Sequence, residues 1–361
     1  MQFAWRHDAG RRAATCFCAI LTGVTLMHAG AQERWPAEKA NAWYRDIPWL
    51  VGCNFTPSNA INQLEMWQAE TFDAPTIDRE LGWMARTGMN AARVYLHLFP
   101  WERDSAAFTA RIERFLSLAD RHNIRVMFVL LDDCWNTTPK AGKQPKPVPG
   151  VHNSGWVQCP GKAIVDDRTQ WPRVRSYVTG LLRTFSRDPR VLCWDLYNEP
   201  GNTAEGERSF PLLKETFRWA REAAPTQPIT AGIYEGMADE FVKFLETASD
   251  ITTFHNYSDT TALVRDIRRF KALGRPVLCT EWMARTNGSR IPTHLPIFKR
   301  ENVGCFIWGA VEGKTQTIFP WESKPGTPRP AVWFHDLLRR DGKPFDPAET
   351  DLIRELTGTR P

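Results

Sequence analysis

The sequence predicts an α/β fold, a single-domain barrel of eight parallel strands ringed by helices, and three features carry that expectation. Eight short apolar runs recur along the chain, each followed by a segment of helical periodicity. The runs lack polar alternation, as expected of parallel strands covered on the outside by helices. Strand and helix keep alternating with no break that would start a second domain, and the length suits one (β/α)8, or TIM, barrel.

The runs fall at 50–53, 92–96, 124–131, 191–197, 229–233, 251–254, 276–279 and 304–308. Between them, Val174, Val178, Leu181 and Phe185 form one apolar stripe at helical spacing. Phe210, Leu213, Phe217 and Ala220 form a second, and Leu263, Ile267 and Phe270 a third. Each stripe buries one helix face against a sheet. Gly88 and Gly274 stand between helix and strand, where a left-handed C-cap is expected. A doubly wound open sheet is the competing architecture. No GxGxxG or GxxxxGK[ST] follows a strand, which weighs against it. Two connections, 56–75 and 132–170, exceed a simple link. Both follow strands and so belong to the C-terminal rim, where barrel active sites lie.

Residues 1–31 read as an export signal, leaving 32–361 as the barrel. Arg6, Arg11 and Arg12 precede an apolar stretch over 13–27, and Ala29-Gly30-Ala31 supplies a small-x-small cleavage pattern. The stretch is short for a bilayer span, and no later one is longer. The expected location is therefore secreted or periplasmic, with no membrane association once the signal is removed. These residues carry two of the chain's five net positive charges, so the remainder is near +3. No basic run is interleaved with aromatics, and nucleic acid is not expected as a partner. Six cysteines follow the signal. Cys53, Cys193, Cys279 and Cys305 lie in apolar runs as buried thiols. Cys134 and Cys159 share one long loop, and after export they can form a disulfide or stay free. No CxxC pair suggests zinc. The 16 tryptophans exceed what a core of this size needs and suit the flat apolar faces of sugars.

Chemistry concentrates at two strand ends. Trp194-Asp195-Leu196-Tyr197-Asn198-Glu199-Pro200 begins as a buried strand, and proline stops it with Glu199 at the rim. Desolvation there raises a carboxyl pKa, as a general acid requires. Val277-Leu278-Cys279-Thr280-Glu281-Trp282 ends the seventh run in the same way. Two carboxylates on one rim can converge across the mouth. One then protonates a leaving oxygen while the other attacks an anomeric carbon, at the 5–5.5 Å spacing of a retaining glycosidase.

With these motifs in place, the chain resembles the clan A glycoside hydrolases, most of all the cellulase and mannanase group of glycoside hydrolase family 5. The resemblance covers nearly all of residues 32–361. It implies Glu199 as acid/base, following Asn198 at the end of strand four, and Glu281 as nucleophile at the end of strand seven. It further implies Arg93 supporting the nucleophile, Tyr257 of His255-Asn256-Tyr257 bonding it, and Trp308 lying under the sugar. Asn198 suits a sugar hydroxyl at C2, and His255 either bonds the substrate or satisfies the rim.

Two segments depart from the family pattern. Asp132-Asp133-Cys134-Trp135 stands where the family often has histidine or asparagine. It suggests a wall of Asp132 and Trp135 around one terminal sugar, or an ion pair within the loop. The polar stretch over 54–67, ending in Trp67, is placed over the mouth, where it would favour exo action.

The expected activity is hydrolysis of O-glycosidic bonds in a β-linked poly- or oligosaccharide by double displacement. β-Glucan or β-mannan is favoured, and no cofactor or metal is needed. The alternatives are an exo-acting clan A enzyme of the β-galactosidase or β-xylosidase type, and a non-catalytic carbohydrate-binding barrel. The sequence leaves sugar identity, linkage and oligomeric state open.

Overall fold

A computed structural model of the protein describes residues 33–203 and 206–359. The expected export signal lies outside the described residues. The strands are β1 (Val51–Asn54), β2 (Ala91–Tyr95), β3 (Arg125–Asp132), β4 (Val191–Asn198), β5 (Ile229–Thr230), β6 (Thr252–Asn256), β7 (Val277–Trp282) and β8 (Gly304–Trp308). They form one parallel sheet in the order β5-β4-β3-β2-β1-β8-β7-β6. The ring closes between β5 and β6 through Ile233, whose N–H donates to Thr253 O (2.9 Å) and whose carbonyl accepts from His255 N (2.8 Å). The eight-stranded (β/α)8 barrel is as expected.

The three apolar stripes lie on the helices Trp171–Thr184, Phe210–Ala223 and Thr260–Lys271, with Phe185 as C-cap of the first. Their stripe residues are buried in the layer between helices and strands, save Phe210, which packs on it partly buried. Gly88 (φ 93°) and Gly274 (φ 70°) are left-handed, as a C-cap position before a strand demands.

A second cluster plugs the lower end of the barrel. Leu50, Ala91, Met127, Leu192, Ile251 and Leu278 meet there, and the helix Ala37–Arg45 lays Ala40 and Tyr44 over them. The barrel interior is thus apolar at the bottom and turns polar toward the top, where Arg93, Asp195 and Glu281 lie on β2, β4 and β7.

Strand five differs from expectation. Only Ile229 and Thr230 pair with β4 before the chain pulls away. The reason stands at Gly232, where an added Cβ would sit 2.7 Å from Nε2 of His255. The backbone yields there, and the imidazole takes the space.

Candidate active site

Both glutamates reach the C-terminal mouth, by different local devices. The β6–β7 register shifts between Phe254 and His255, and the β7–β8 register shifts between Cys279 and Trp282. Such irregularities re-aim side chains at barrel rims, and they flank Glu281. Glu199 follows β4 at φ 43°, a left-handed conformation unusual for a residue with a Cβ. It turns the chain sharply before Pro200.

The two carboxylates meet. One oxygen of each, with a ring nitrogen of His255, lies within 4.8 Å of the others. Glu281 is held on both oxygens. Its Oε1 accepts from Arg93 Nη1 (2.7 Å) and Tyr95 OH (2.8 Å), and its Oε2 from Tyr257 OH (2.8 Å). Arg93 is fully buried and anchored in turn by Asp195 Oδ2 (2.7 Å), Asn54 Oδ1 (2.7 Å) and Asn198 Oδ1 (2.7 Å). Burial drives the Tyr257 phenol well above its ordinary pKa, and the charge of Glu281 adds to that, so it stays a donor.

Glu199 has different neighbours. Its Oε1 meets His255 Nδ1 at 2.6 Å, and its Oε2 accepts from Cys134 Sγ (3.1 Å) and from Asn202 Nδ2. Burial pushes this carboxyl up. The hydrogen bond and charge of His255 pull it down further, leaving Glu199 below its ordinary value. The raised pKa expected from desolvation is therefore corrected: the hydrogen-bonding partners of Glu199 outweigh its burial.

A cleft of about 1030 Å³ opens above the pair. Trp135, Trp308 and Trp321 line it, together with His152, Asn153, Asn202, Tyr234 and Glu235. No residue of the β1 or β2 loops lines it. Three long loops instead build a wall beside Trp308. Lys314 N donates to Ser58 O (2.9 Å), Lys314 Nζ pairs with Glu65 (2.6 Å), Asn62 Nδ2 donates to Gly155 O (2.7 Å), and Asn153 N donates to Thr315 O (2.8 Å). Beneath this wall, Trp308 packs edge-on against Tyr95 and Trp156.

Glu199, Glu281, Asn198, His255, Tyr257, Trp135 and Trp308 all line the cleft, and Arg93 lies directly beneath it. Two expected substrate-binding residues do not. Trp67 is fully buried on the short helix Gln63–Trp67, between Phe72, Phe108 and Phe115, and its Nε1 donates to Tyr95 O. It fills space between helices. Asp132 is 1% exposed, and its oxygens accept from Asn198 Nδ2, Cys134 N, Trp156 Nε1 and Gln63 Nε2. Burial pushes it up to about 7. It props the site from behind. Asp133 likewise turns inward, accepting from Tyr197 OH and Gly201 N. Asn198 is gripped between Arg93 and Asp132, and His255 bonds Glu199. Cys134 and Cys159 are not bonded to each other. The Cys134 thiol faces Glu199, while Leu98 N approaches the Cys159 thiol at 3.4 Å. The stretch 54–67 forms wall and core, and does not lie over the mouth.

Several site residues were not anticipated. Asp195 had a signal: a carboxylate inside an apolar strand needs a buried cation. Tyr95 had a weaker one, since it follows Arg93 by two and shares its strand face. Cys134, Asn202 and Trp321 had none, because their positions come from loop paths. Glu199, His255 and Glu281 are also the group among the described residues whose donor atoms are spaced to hold a cation. The Arg93 guanidinium, 2.7 Å from Glu281, opposes positive charge there.

No protein-family model matches the sequence, and neither does any curated protein. Solved structures do share the fold. An exo-β-1,4-mannosidase from Opitutaceae bacterium strain TAV5 superposes with a TM-score of 0.60 at 16% identity, over 86% of this chain and 60% of the other. The chain thus spans less than two thirds of that protein. GH5_18 from Streptomyces cattleya, in complex with GlcNAc, gives a TM-score of 0.59 at 14% identity, over 87% of this chain and 82% of that one. An endo-β-1,4-mannanase from Thermotoga petrophila gives 0.55 at 15% identity, over 86% and 76%. At these identities the likeness establishes a shared (β/α)8 fold.

Proposed function

We propose that the protein is an exported retaining β-glycosidase acting on β-linked, mannan-type saccharides. One observation carries the reading: two carboxylates within 4.8 Å at a barrel mouth, closer than the gap that an inverting enzyme leaves for water. Glu281 is the nucleophile. Arg93 and the two tyrosine hydroxyls fix its direction, so attack on the anomeric carbon needs little reorganisation. Glu199, held by His255, protonates the departing oxygen, then takes a proton from the water that releases the sugar. Sugar stacks on Trp308, with Trp135 and Trp321 as further apolar faces. The fold likeness to mannosidases and mannanases supports the choice of mannan over glucan.

The cleft favours exo action. Asn202, Tyr234 and Glu235 line the cleft together with Glu199 and offer a place for the leaving group. The contacts that tie the three loops together near Trp308 support a closed end that takes a chain terminus.

The test is product analysis on β-mannan, β-glucan, galactan and xylan oligosaccharides, with the first product's anomer followed by NMR. Release of single sugars as the β-anomer is expected. An α-anomer as first product would refute double displacement, and early mid-length oligosaccharides would refute the exo mode. Binding without turnover on every substrate would leave the non-catalytic barrel.

A further inference from the structure

We propose that Cys134 is a positioning residue for the acid/base, its S–H holding the second oxygen of Glu199 and setting where that carboxyl gives up its proton. The inference rests on the glycosidase reading above.

Three observations support it. The Cys134 sulfur lies 3.1 Å from Glu199 Oε2. The loop is built to keep it there: Cys134 N donates to Asp132 Oδ1 (3.0 Å), Asn198 Nδ2 approaches the sulfur at 3.5 Å, and the next residue, Trp135, takes a left-handed φ of 69° with its N–H on Thr203 Oγ1 (3.3 Å). The other five described cysteines are buried in the fold, whereas Cys134 is half-buried on the cleft wall.

The thiol's own chemistry suits this role. Burial, followed by the charges of Glu199, Asp132 and Glu281, pushes its pKa well above the ordinary value, so sulfur keeps its hydrogen and donates it. A donor on Oε2 favours the ionised carboxylate, as His255 does on Oε1. With both oxygens engaged, Glu199 cannot rotate away from the leaving group. A serine retains a donor there; an alanine has none.

The experiment compares Cys134→Ala and Cys134→Ser with the natural enzyme, using aryl β-glycosides with good and poor leaving groups. With Cys134→Ala, kcat on the poor leaving group should fall about three- to tenfold, a fraction of what a general acid contributes. The basic limb of the kcat/KM profile should move up by about half a pH unit, since losing a donor to the carboxylate raises the pKa of Glu199. A dinitrophenyl leaving group needs no proton and should show little loss in the glycosylation step. Cys134→Ser should restore both kcat and the limb. A second measurement does not depend on the alanine variant folding. Methyl methanethiosulfonate converts the thiol to a methyl disulfide, with loss of the thiol proton and of methanesulfinate. Because the thiol keeps its hydrogen, capping is driven at alkaline pH and followed to completion by mass; the capped natural enzyme should lose turnover, and Cys134→Ser treated alike should keep it. An unchanged limb in well-folded Cys134→Ala, or full activity after capping confirmed by mass, would overturn the proposal. If the natural enzyme cleaves no glycoside at all, the glycosidase reading fails instead.

Discussion

The two carboxylates at the mouth have the same side chain and opposite surroundings. Glu281 sits against a guanidinium and two phenols, on strands whose backbone is paired on both sides. Glu199 sits on a left-handed turn beyond the end of β4, against an imidazole, a thiol and an amide. The first set carries a permanent positive charge. The second offers an imidazole, a thiol and an amide as hydrogen-bonding partners. In the proposed double displacement a nucleophile needs the former and an acid/base the latter. The proposed division of labour then follows from the neighbours and not from the glutamates.

The largest effect that sharpens this contrast is Glu281→Ala. Turnover should drop by at least about 10⁴-fold, and added azide should restore part of it as a glycosyl azide of inverted configuration. Full activity in this variant would remove the nucleophile assignment. Glu199→Ala should cost about 10²–10⁴-fold in kcat/KM on poor leaving groups and far less on a dinitrophenyl glycoside, since kcat/KM reads the glycosylation step alone. Equal losses on both would show that the residue is not the acid.

Arg93→Met acts first on the Glu281 side, and reaches Glu199 only through Asn198. It strands Asp195 and Glu281 as buried charges, and should lower stability by about 3–5 kcal/mol, seen in denaturant melts. Gly232→Ala acts mainly on the Glu199 side, since His255 lies 2.6 Å from Glu199 and 3.6 Å from Glu281. Its Cβ would press on His255 at 2.7 Å, and kcat should fall about tenfold, with Glu281 still labelled by a mechanism-based fluoroglycoside.

The smallest effect comes from a third buried acid that lacks such a set of donors. Asp336 is 1% exposed, accepts from Thr317 Oγ1, has no partner on Oδ1, and is pushed up to about 7 by burial. A carboxyl raised in the folded state above its unfolded value destabilises the fold as pH climbs from about 4 through 7. Asp336→Asn should therefore gain on the order of 1 kcal/mol or more at pH 8, and less than half as much at pH 5. A gain of equal size at both pH values would show that its ionisation is not the cause.

The strand ends, the barrel and the positions of Glu199, Glu281 and Arg93 are legible because each rests on local pattern: apolar runs, a proline stop, a charge that a buried strand cannot leave unpaired; Tyr257 comes from the family resemblance. Where the reading failed, long loops decided. Trp67 and Trp135 both looked like rim tryptophans. One packs under Phe72, Phe108 and Phe115, and the other faces the cleft. Asp132 looked like a sugar contact because it ends a strand, and four donors from elsewhere in the chain turned it into a support.

Alternation of strand and helix, and the residue types at the ends of β4 and β7, follow from the order of amino acids, since burial periodicity is a local property. Which nitrogen, sulfur or oxygen stands beside each glutamate does not. Cys134, His255 and Glu199 come from three strands, and their meeting depends on a pinch at Gly232 and a left-handed turn at Trp135. Contacts between residues far apart in sequence exist only once the ring has closed, and the chemistry of the mouth is made of such contacts.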